Sequence, residues 1–135
     1  MATSKSSARQ IGTRFERLAC KFLTAQGLQI ITTNYNVALV GEIDVVALGQ
    51  TSLGNKVFKT LVFVEVKARR RSQFASSLET VTLAKQRKII KAAEHFIAQH
   101  DKFADCDCRF DVIGFDTKSD GNIDLNWIQA AFLVD

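Results

Sequence analysis

Glu65-Val66-Lys67 sets a carboxylate and an ammonium two residues apart inside the run Thr60–Ala68 (TLVFVEVKA). Successive side chains of a strand point to opposite faces, so Glu65 and Lys67 share a side with Leu61 and Phe63, while Val64 and Val66 occupy the other. A strand apolar on both faces thus turns ionic on one face toward its C-terminal end. An exposed Glu–Lys pair, where a strand simply enters solvent, would give the same pattern, and such pairs are weak. Gly41-Glu42-Ile43-Asp44 adds a second feature. Aspartate is disfavoured in strands, yet Asp44 stands between Ile43 and Val45, and alternation groups it with Glu42, Val46 and Leu48. If the two strands pair, Asp44 and Glu65 come close. Two carboxylates so placed repel, and burial makes them costlier still. A divalent cation answers both problems, since Mg²⁺ is commonly held by one or two carboxylates plus waters and a substrate phosphate. A lysine beside such an ion can orient or deprotonate an attacking water.

Two further polar residues fall on apolar helical arcs. Glu16 lies at the margin of a stripe with Gly12, Ala19 and Leu23. It is either a third acid facing the sheet or a solvated helix glutamate paired with a neighbouring cation. Gly12, one turn earlier, weakens the helix by roughly 1 kcal/mol relative to Ala and so suggests close approach of another group. Gln86 falls inside the arc of Ile89, Ile90, Ala93 and Ile97. A buried amide needs partners; it could orient a phosphate, water or carboxylate, or it could cap local backbone. Cations gather nearby. Lys67, Arg69, Arg70 and Arg71 follow the acid of the ExK strand, and Lys85, Arg87, Lys88 and Lys91 follow on the next helix. An acidic site rimmed by cations suits cleavage of a polyanion, although a run of charge is also what a solvated helix face looks like.

The elements that must position these residues are legible from periodicity. Ile11, Phe15, Leu18, Ala19, Phe22 and Leu23 recur at helical spacing, predicting a helix over roughly 7–26 ended by Gly27. Strands are expected at Leu28–Thr32, Gly41–Leu48, Thr60–Ala68, Cys108–Asp116 and Ile123–Ile128, and a second helix at Thr82–His100. Asn34–Asn36, Gln50–Lys56 and Arg69–Ser77 read as turns or loops, and Ala130–Val134 as an apolar tail. The strands centred on residues 45 and 64 should pair antiparallel, being close in sequence. The second helix then acts as a crossover that lets the Phe110 strand run parallel to the one bearing Glu65. The fold class is therefore α/β: one domain over residues 1–135, a central mixed sheet of about five strands flanked by helices, in the order α-β-β-β-α-β-β.

Composition agrees with one ordinary globular domain: 135 residues, 47% hydrophobic and 24% charged. The net charge of +4 is mildly basic, and position matters more than total. No apolar run approaches the roughly 20 residues of a membrane helix, and MATSKSSARQ lacks the apolar stretch of a secretory signal. A cytoplasmic protein without a membrane partner is the expectation. Cys20, Cys106 and Cys108 are odd in number, and Cys106-x-Cys108 is not a zinc spacing. Free thiols are expected. His95 and His100 make no metal pair on a helix, and no GxSxG, P-loop or GxGxxG occurs. Asp105, Asp107 and Asp111 are not spaced as a calcium loop.

Together these residues resemble the nuclease superfamily with the PD-(D/E)xK site, and more closely the YraN (UPF0102) family. The resemblance is carried by Gly12 and Glu16, Gly41-Glu42-Ile43-Asp44, Phe63-Val64-Glu65-Val66-Lys67 with Ala68-Arg69-Arg70, Lys85-Gln86, Arg109-Phe110-Asp111-Val112, Trp127-Ile128 and Ala131-Phe132. It spans nearly the whole chain. It implies a restriction-endonuclease-like core and a Mg²⁺- or Mn²⁺-dependent DNA endonuclease, distantly similar to archaeal Holliday-junction resolvases and so directed to branched or structured DNA. In that light Asp44 and Glu65 are the metal-binding acids, with the Val66 carbonyl as a further ligand. Lys67 is the catalytic lysine, Glu16 the additional helix acid at the metal, and Gln86 the motif glutamine. Arg69, Arg70, Arg71, Lys85 and Lys88 are the expected DNA contacts. Val40 stands where many relatives have Gly, and Ile43 precedes Asp44 where the superfamily's proline is often found. Two alternatives keep the same fold: a nucleic-acid-binding module without turnover, its acids and lysine forming a structural network, or a protein-interaction module, a homodimer through the apolar tail.

Overall fold

The computed structural model describes residues 8–70 and 81–134, with side chains in the first helix from Thr13 onward. Helix α1 (Ala8–Ala25) leads into β1 (Gln29–Val37), β2 (Gly41–Leu53) and β3 (Lys56–Arg70). Helix α2 (Leu83–Gln99), a single 3-10 turn (Asp101–Phe103), β4 (Asp107–Thr117) and β5 (Ile123–Phe132) follow. The expected order α-β-β-β-α-β-β is the observed one. All five strands form one mixed sheet in the order β1-β2-β3-β4-β5. β2 and β3 are antiparallel, and β3 and β4 are parallel from Thr60↔Asp107 to Arg70↔Thr117. The α2 crossover makes that parallel pair possible.

Each helix buries its apolar stripe on one face of the sheet. On one side Phe15, Ala19 and Leu23 of α1 pack on Val45, Val62, Val64, Ile113 and Phe115. On the other, Ile89, Ala92, Ala93 and Phe96 of α2 pack on Val46, Leu48, Leu61, Phe63, Phe110 and Val112. Covering both faces is what lets β3 be apolar on both sides up to Val64, as its sequence requires. Thr82 caps α2 by accepting the Lys85 N–H at 3.2 Å.

Several boundaries differ from expectation. Asn34–Asn36 is strand, not turn: β1 runs on to Val37, with Asn34 in the left-handed region at φ 53°. Gln50–Lys56 is not a loop. β2 and β3 stay paired from Gln50↔Lys59 to Leu53↔Lys56, and only Gly54-Asn55 turn. This arm runs beyond the reach of β1, which begins opposite Leu48, and of β4, which begins beside Thr60. It therefore leaves Leu53, Val57 and Phe58 exposed. Arg69 and Arg70 extend β3 rather than opening a loop, and Ala130–Phe132 extends β5 rather than forming a tail. The remainder of the expected Arg69–Ser77 loop lies outside the described residues. Cys20, Cys106 and Cys108 are free thiols, as expected. Among the described residues no helix is long and apolar enough to cross a membrane.

Candidate active site

The site forms where β2 leaves β3. Their antiparallel pairing ends at Val45↔Val64. Continued one step, the same register would set Asp44 directly opposite Glu65. Instead the backbones part, and the Asp44 side chain spans the gap, Oδ2 accepting the Val66 N–H at 2.8 Å. Asp44 thus replaces a ladder hydrogen bond, which explains how a poor strand former sits between Ile43 and Val45. Simple alternation fails at this point. Ile43 packs in the α2-side core together with Val46, while Val45 packs in the α1-side core. Asp44 still shares the α2 side with Glu42, Val46 and Leu48, as alternation groups them, and Ile43 is the residue out of step. The positive φ of Asn34 falls between the pairs Thr33↔Val45 and Tyr35↔Ile43, so β1 bends at the same level.

Gly41 lets α2 close over this split. A Cβ at Gly41 would stand 2.9 Å from the Lys88 carbonyl oxygen and 3.1 Å from the Lys88 Cβ. A close approach of helix backbone is thus found at Gly41, while the surroundings of Gly12 lie outside the described residues. The result is a cleft of about 480 Å³ lined by Gly41, Glu42, Asp44, Glu65, Thr82, Ala84, Lys85, Lys88 and Ile89.

Alternation holds on β3. Glu65 and Lys67 lie on one side, with Lys67 Nζ 3.5 Å from Glu65 Oε1. Glu65 is buried, only 4% exposed. A second ammonium reaches the same oxygen: Lys85 Nζ, from the first turn of α2, is 2.8 Å from Glu65 Oε1. Lys85 was expected on the rim as a DNA contact, and its described partner is instead the carboxylate of the ExK strand.

The electrostatics follow from crowding. Burial, the Glu65 charge and, more weakly, Glu16 push the Asp44 carboxyl up to about 7, against the Val66 amide and Lys85, which favour its ionised form. Lys67 is lowered from the usual lysine range by burial and by Lys85, against Glu65. Lys85 is raised: burial opposes its charge, but its bonding to Glu65 and the charges of Glu65 and Asp44 outweigh that. One lysine is held charged, and the other is eased toward the neutral amine.

The donor set suits a hard divalent cation in part. Asp44 and Glu65 supply two carboxylates to one cleft; Glu65 is met by Lys67 and Lys85, and Asp44 is the one left short of positive charge. Among the described residues no three His, Cys, Asp or Glu side chains gather closely enough to hold an ion among them. Glu42 also lines the cleft, and Glu16 is felt at Asp44 through its charge. Val66 enters the described contacts through its amide. Gln86 donates its Nε2 to the Val81 carbonyl at 3.1 Å, the backbone-capping alternative, and is not among the cleft-lining residues. Lys88 is exposed at the cleft, Arg70 is exposed beyond Lys67, and Arg69 is half-buried. Arg71 lies outside the described residues.

One carboxylate was given no role by the sequence. Asp111 on β4 is fully buried and accepts four hydrogen bonds. Arg109 Nε binds Oδ1 at 2.8 Å and Arg109 Nη2 binds Oδ2 at 3.0 Å. Trp127 Nε1 donates to Oδ2 at 2.9 Å and the Ala130 amide to Oδ1 at 3.0 Å. Ala130 is held at φ 50°, where the β4–β5 register slips. The signal was Arg109 and Asp111, two residues apart on one strand face.

Sequence comparison places these residues among relatives. A UPF0102 protein of Psychrobacter arcticus is 45% identical over 142 residues, spanning 91% of this chain and 80% of the relative. A UPF0102 protein of Francisella tularensis is 37% identical over 125 residues, spanning 93% and 96%. The model of the uncharacterised protein family UPF0102 matches residues 15–115, a stretch that holds Glu16, the β2–β3 split, both lysines and Asp111. The chain belongs to the UPF0102 family.

Proposed function

We propose that this protein is a divalent-metal-dependent DNA endonuclease that hydrolyses phosphodiester bonds. The observation that carries the proposal is the meeting of Asp44 and Glu65 in one cleft, with Lys67 beside Glu65. Asp44, Glu65 and the Val66 carbonyl are the groups that would hold Mg²⁺ or Mn²⁺. When bound, the ion would supply Lewis acidity and neutralise charge on the phosphate. Lys67, beside Glu65, orients the attacking water and stabilises charge on the phosphate. The Val66 amide fixes the Asp44 carboxylate. Glu16 adds negative field at the metal side, and Lys88, Arg69, Arg70 and Arg71 supply backbone contacts. Water oxygen bonds to phosphorus and the bond to the 3′ oxygen breaks, leaving 3′-hydroxyl and 5′-phosphate ends. Branched DNA is the proposed substrate, on the resemblance to junction resolvases.

The pairing of Glu65 with two ammoniums also suits a static network, as in a DNA-binding module without turnover. A cleavage screen over linear, flap and four-way DNAs with Mn²⁺ separates the two. Nicking of at least one substrate is expected, lost in Glu65→Ala and Lys67→Ala. Activity surviving both substitutions belongs to another site, and binding without cleavage of any substrate favours the module.

A further inference from the structure

We propose that Lys85 is the resident counter-ion of the carboxylate pair: its ammonium holds the place beside Glu65 until a divalent cation takes it, then swings to the cleft mouth to meet the substrate phosphate. This rests on the metal-dependent reading above and assigns Lys85 a positioning role within it.

The two ammoniums on Glu65 are not equivalent. Lys67 belongs to β3 itself, two residues from Glu65, with its side chain 21% exposed and 3.5 Å away. Lys85 comes from the opposite wall, with its side chain 41% exposed and 2.8 Å away. Both converge on Oε1, so the shorter contact is made by the more solvent-accessible cation. The Lys85 backbone N–H is held by the Thr82 cap, and its side chain reaches across the cleft to Glu65. Its four-carbon stem is free to re-aim.

Charge balance points the same way. Glu42 and Lys88, both exposed at the cleft, offset each other, and within it the carboxylates Asp44 and Glu65 face the ammoniums Lys67 and Lys85. Adding a doubly charged ion with both lysines in place leaves two surplus positive charges in a partly buried site. Departure of Lys85 removes one, and an entering phosphodiester neutralises the other. Lys85 also sits in the first turn of α2 beside exposed Lys88, at the lip of the same cleft. It therefore moves toward the substrate and not away from it. The ammonium and the ion compete for one oxygen, so each must weaken the other's hold.

The test is direct metal binding to the full chain, followed by the signal of free Mn²⁺ at pH 8. Lys85→Met should bind Mn²⁺ several-fold tighter than the wild type, and Lys85→Arg should stay near it. Equal or weaker binding by Lys85→Met overturns the proposal. A second measurement needs no variant at the lysine. Acylation of the Lys85 amine, read by mass spectrometry, should rise with saturating Mg²⁺ in the wild type and stay unchanged in Asp44→Asn. Unchanged labelling in wild-type protein, with Mg²⁺ binding confirmed by calorimetry, also overturns it. If no variant binds Mn²⁺, Lys85→Met included, the metal-dependent reading itself fails; if the wild type binds and Lys85→Met binds no tighter, only the counter-ion role fails.

Discussion

Two aspartates interrupt apolar strands in this protein, and they are opposites. Asp111 on β4 takes four hydrogen bonds, two of them from one guanidinium, and fixes a bulged pairing to β5. Asp44 on β2 takes one described hydrogen bond, faces Glu65 and is pushed up to about 7. A carboxylate whose every demand is met holds a fold together. One left short of positive charge is available to a ligand. Burial alone does not separate the two; the inventory of partners does.

Removing each acid should therefore have opposite consequences for stability. Asp111→Ala leaves the Arg109 guanidinium and the Trp127 indole without their acceptor and frees Ala130 from its left-handed turn. It should cost about 3–5 kcal/mol in a urea unfolding curve. Asp44→Asn keeps an acceptor for the Val66 amide and removes the repulsion from Glu65. It should leave metal-free stability unchanged or higher at pH 8 while abolishing cleavage. A loss as large as that of Asp111→Ala would make Asp44 a structural residue and erase the contrast.

The contrast also has a pH signature. The unfolded Asp44 ionises near 3.8 and the folded one near 7. Between those values the unfolded chain holds fewer protons, so raising the pH withdraws stability. The contribution is complete below 3.8 and gone above about 7, with a ceiling of about 4 kcal/mol by linkage. Burial, then the Glu65 charge and more weakly Glu16 drive this loss, and the Val66 amide and Lys85 oppose it. Denaturation of metal-free protein at pH 5 and pH 8 should show the decline, and Asp44→Asn should flatten it. A smaller effect sharpens the geometry. Gly41→Ala forces its Cβ onto the Lys88 carbonyl and should cost about 1–3 kcal/mol in a thermal melt. It should also weaken Mn²⁺ binding by shifting the first turn of α2.

Where the chain obeys a simple period, its structure was legible. Phe63, Glu65 and Lys67 fall as alternation dictates, and the helical stripes of α1 and α2 name the residues that bury on each face. The antiparallel and parallel pairings of β3 follow from connection length alone. What alternation could not reveal is the parting of β2 from β3, because a side chain taking over a backbone hydrogen bond leaves no periodic trace. Gly41 was visible as a letter, but its reason is a helix carbonyl 47 residues away in the chain (41 to 88). Lys85 read as one cation among four because helical position does not say which lysine reaches across a cleft. The Gln50–Lys56 part of the arm looked like a loop because its residues are mostly polar, small and exposed, leaving no buried face to mark a strand. Asp111 was given no role because only its Arg109 partner is local, while the Trp127 indole and the Ala130 amide reach it from β5, brought near by the fold.

The arm gives β2 and β3 two very different ends. From Val45 to Leu48, and from Leu61 to Val64, the strands are flanked by β1 and β4, and their amides should exchange with solvent only when much of the sheet opens. From Gln50 to Lys59 a bare two-stranded ribbon stands alone, a unit marginally stable in water. Fraying that starts at Gly54 runs into the sheet before it can travel to Glu65 and Lys67 at the far end of β3. The same hairpin thus couples a tip that breathes to a root that does not, and the centre section insulates the carboxylate pair from that breathing.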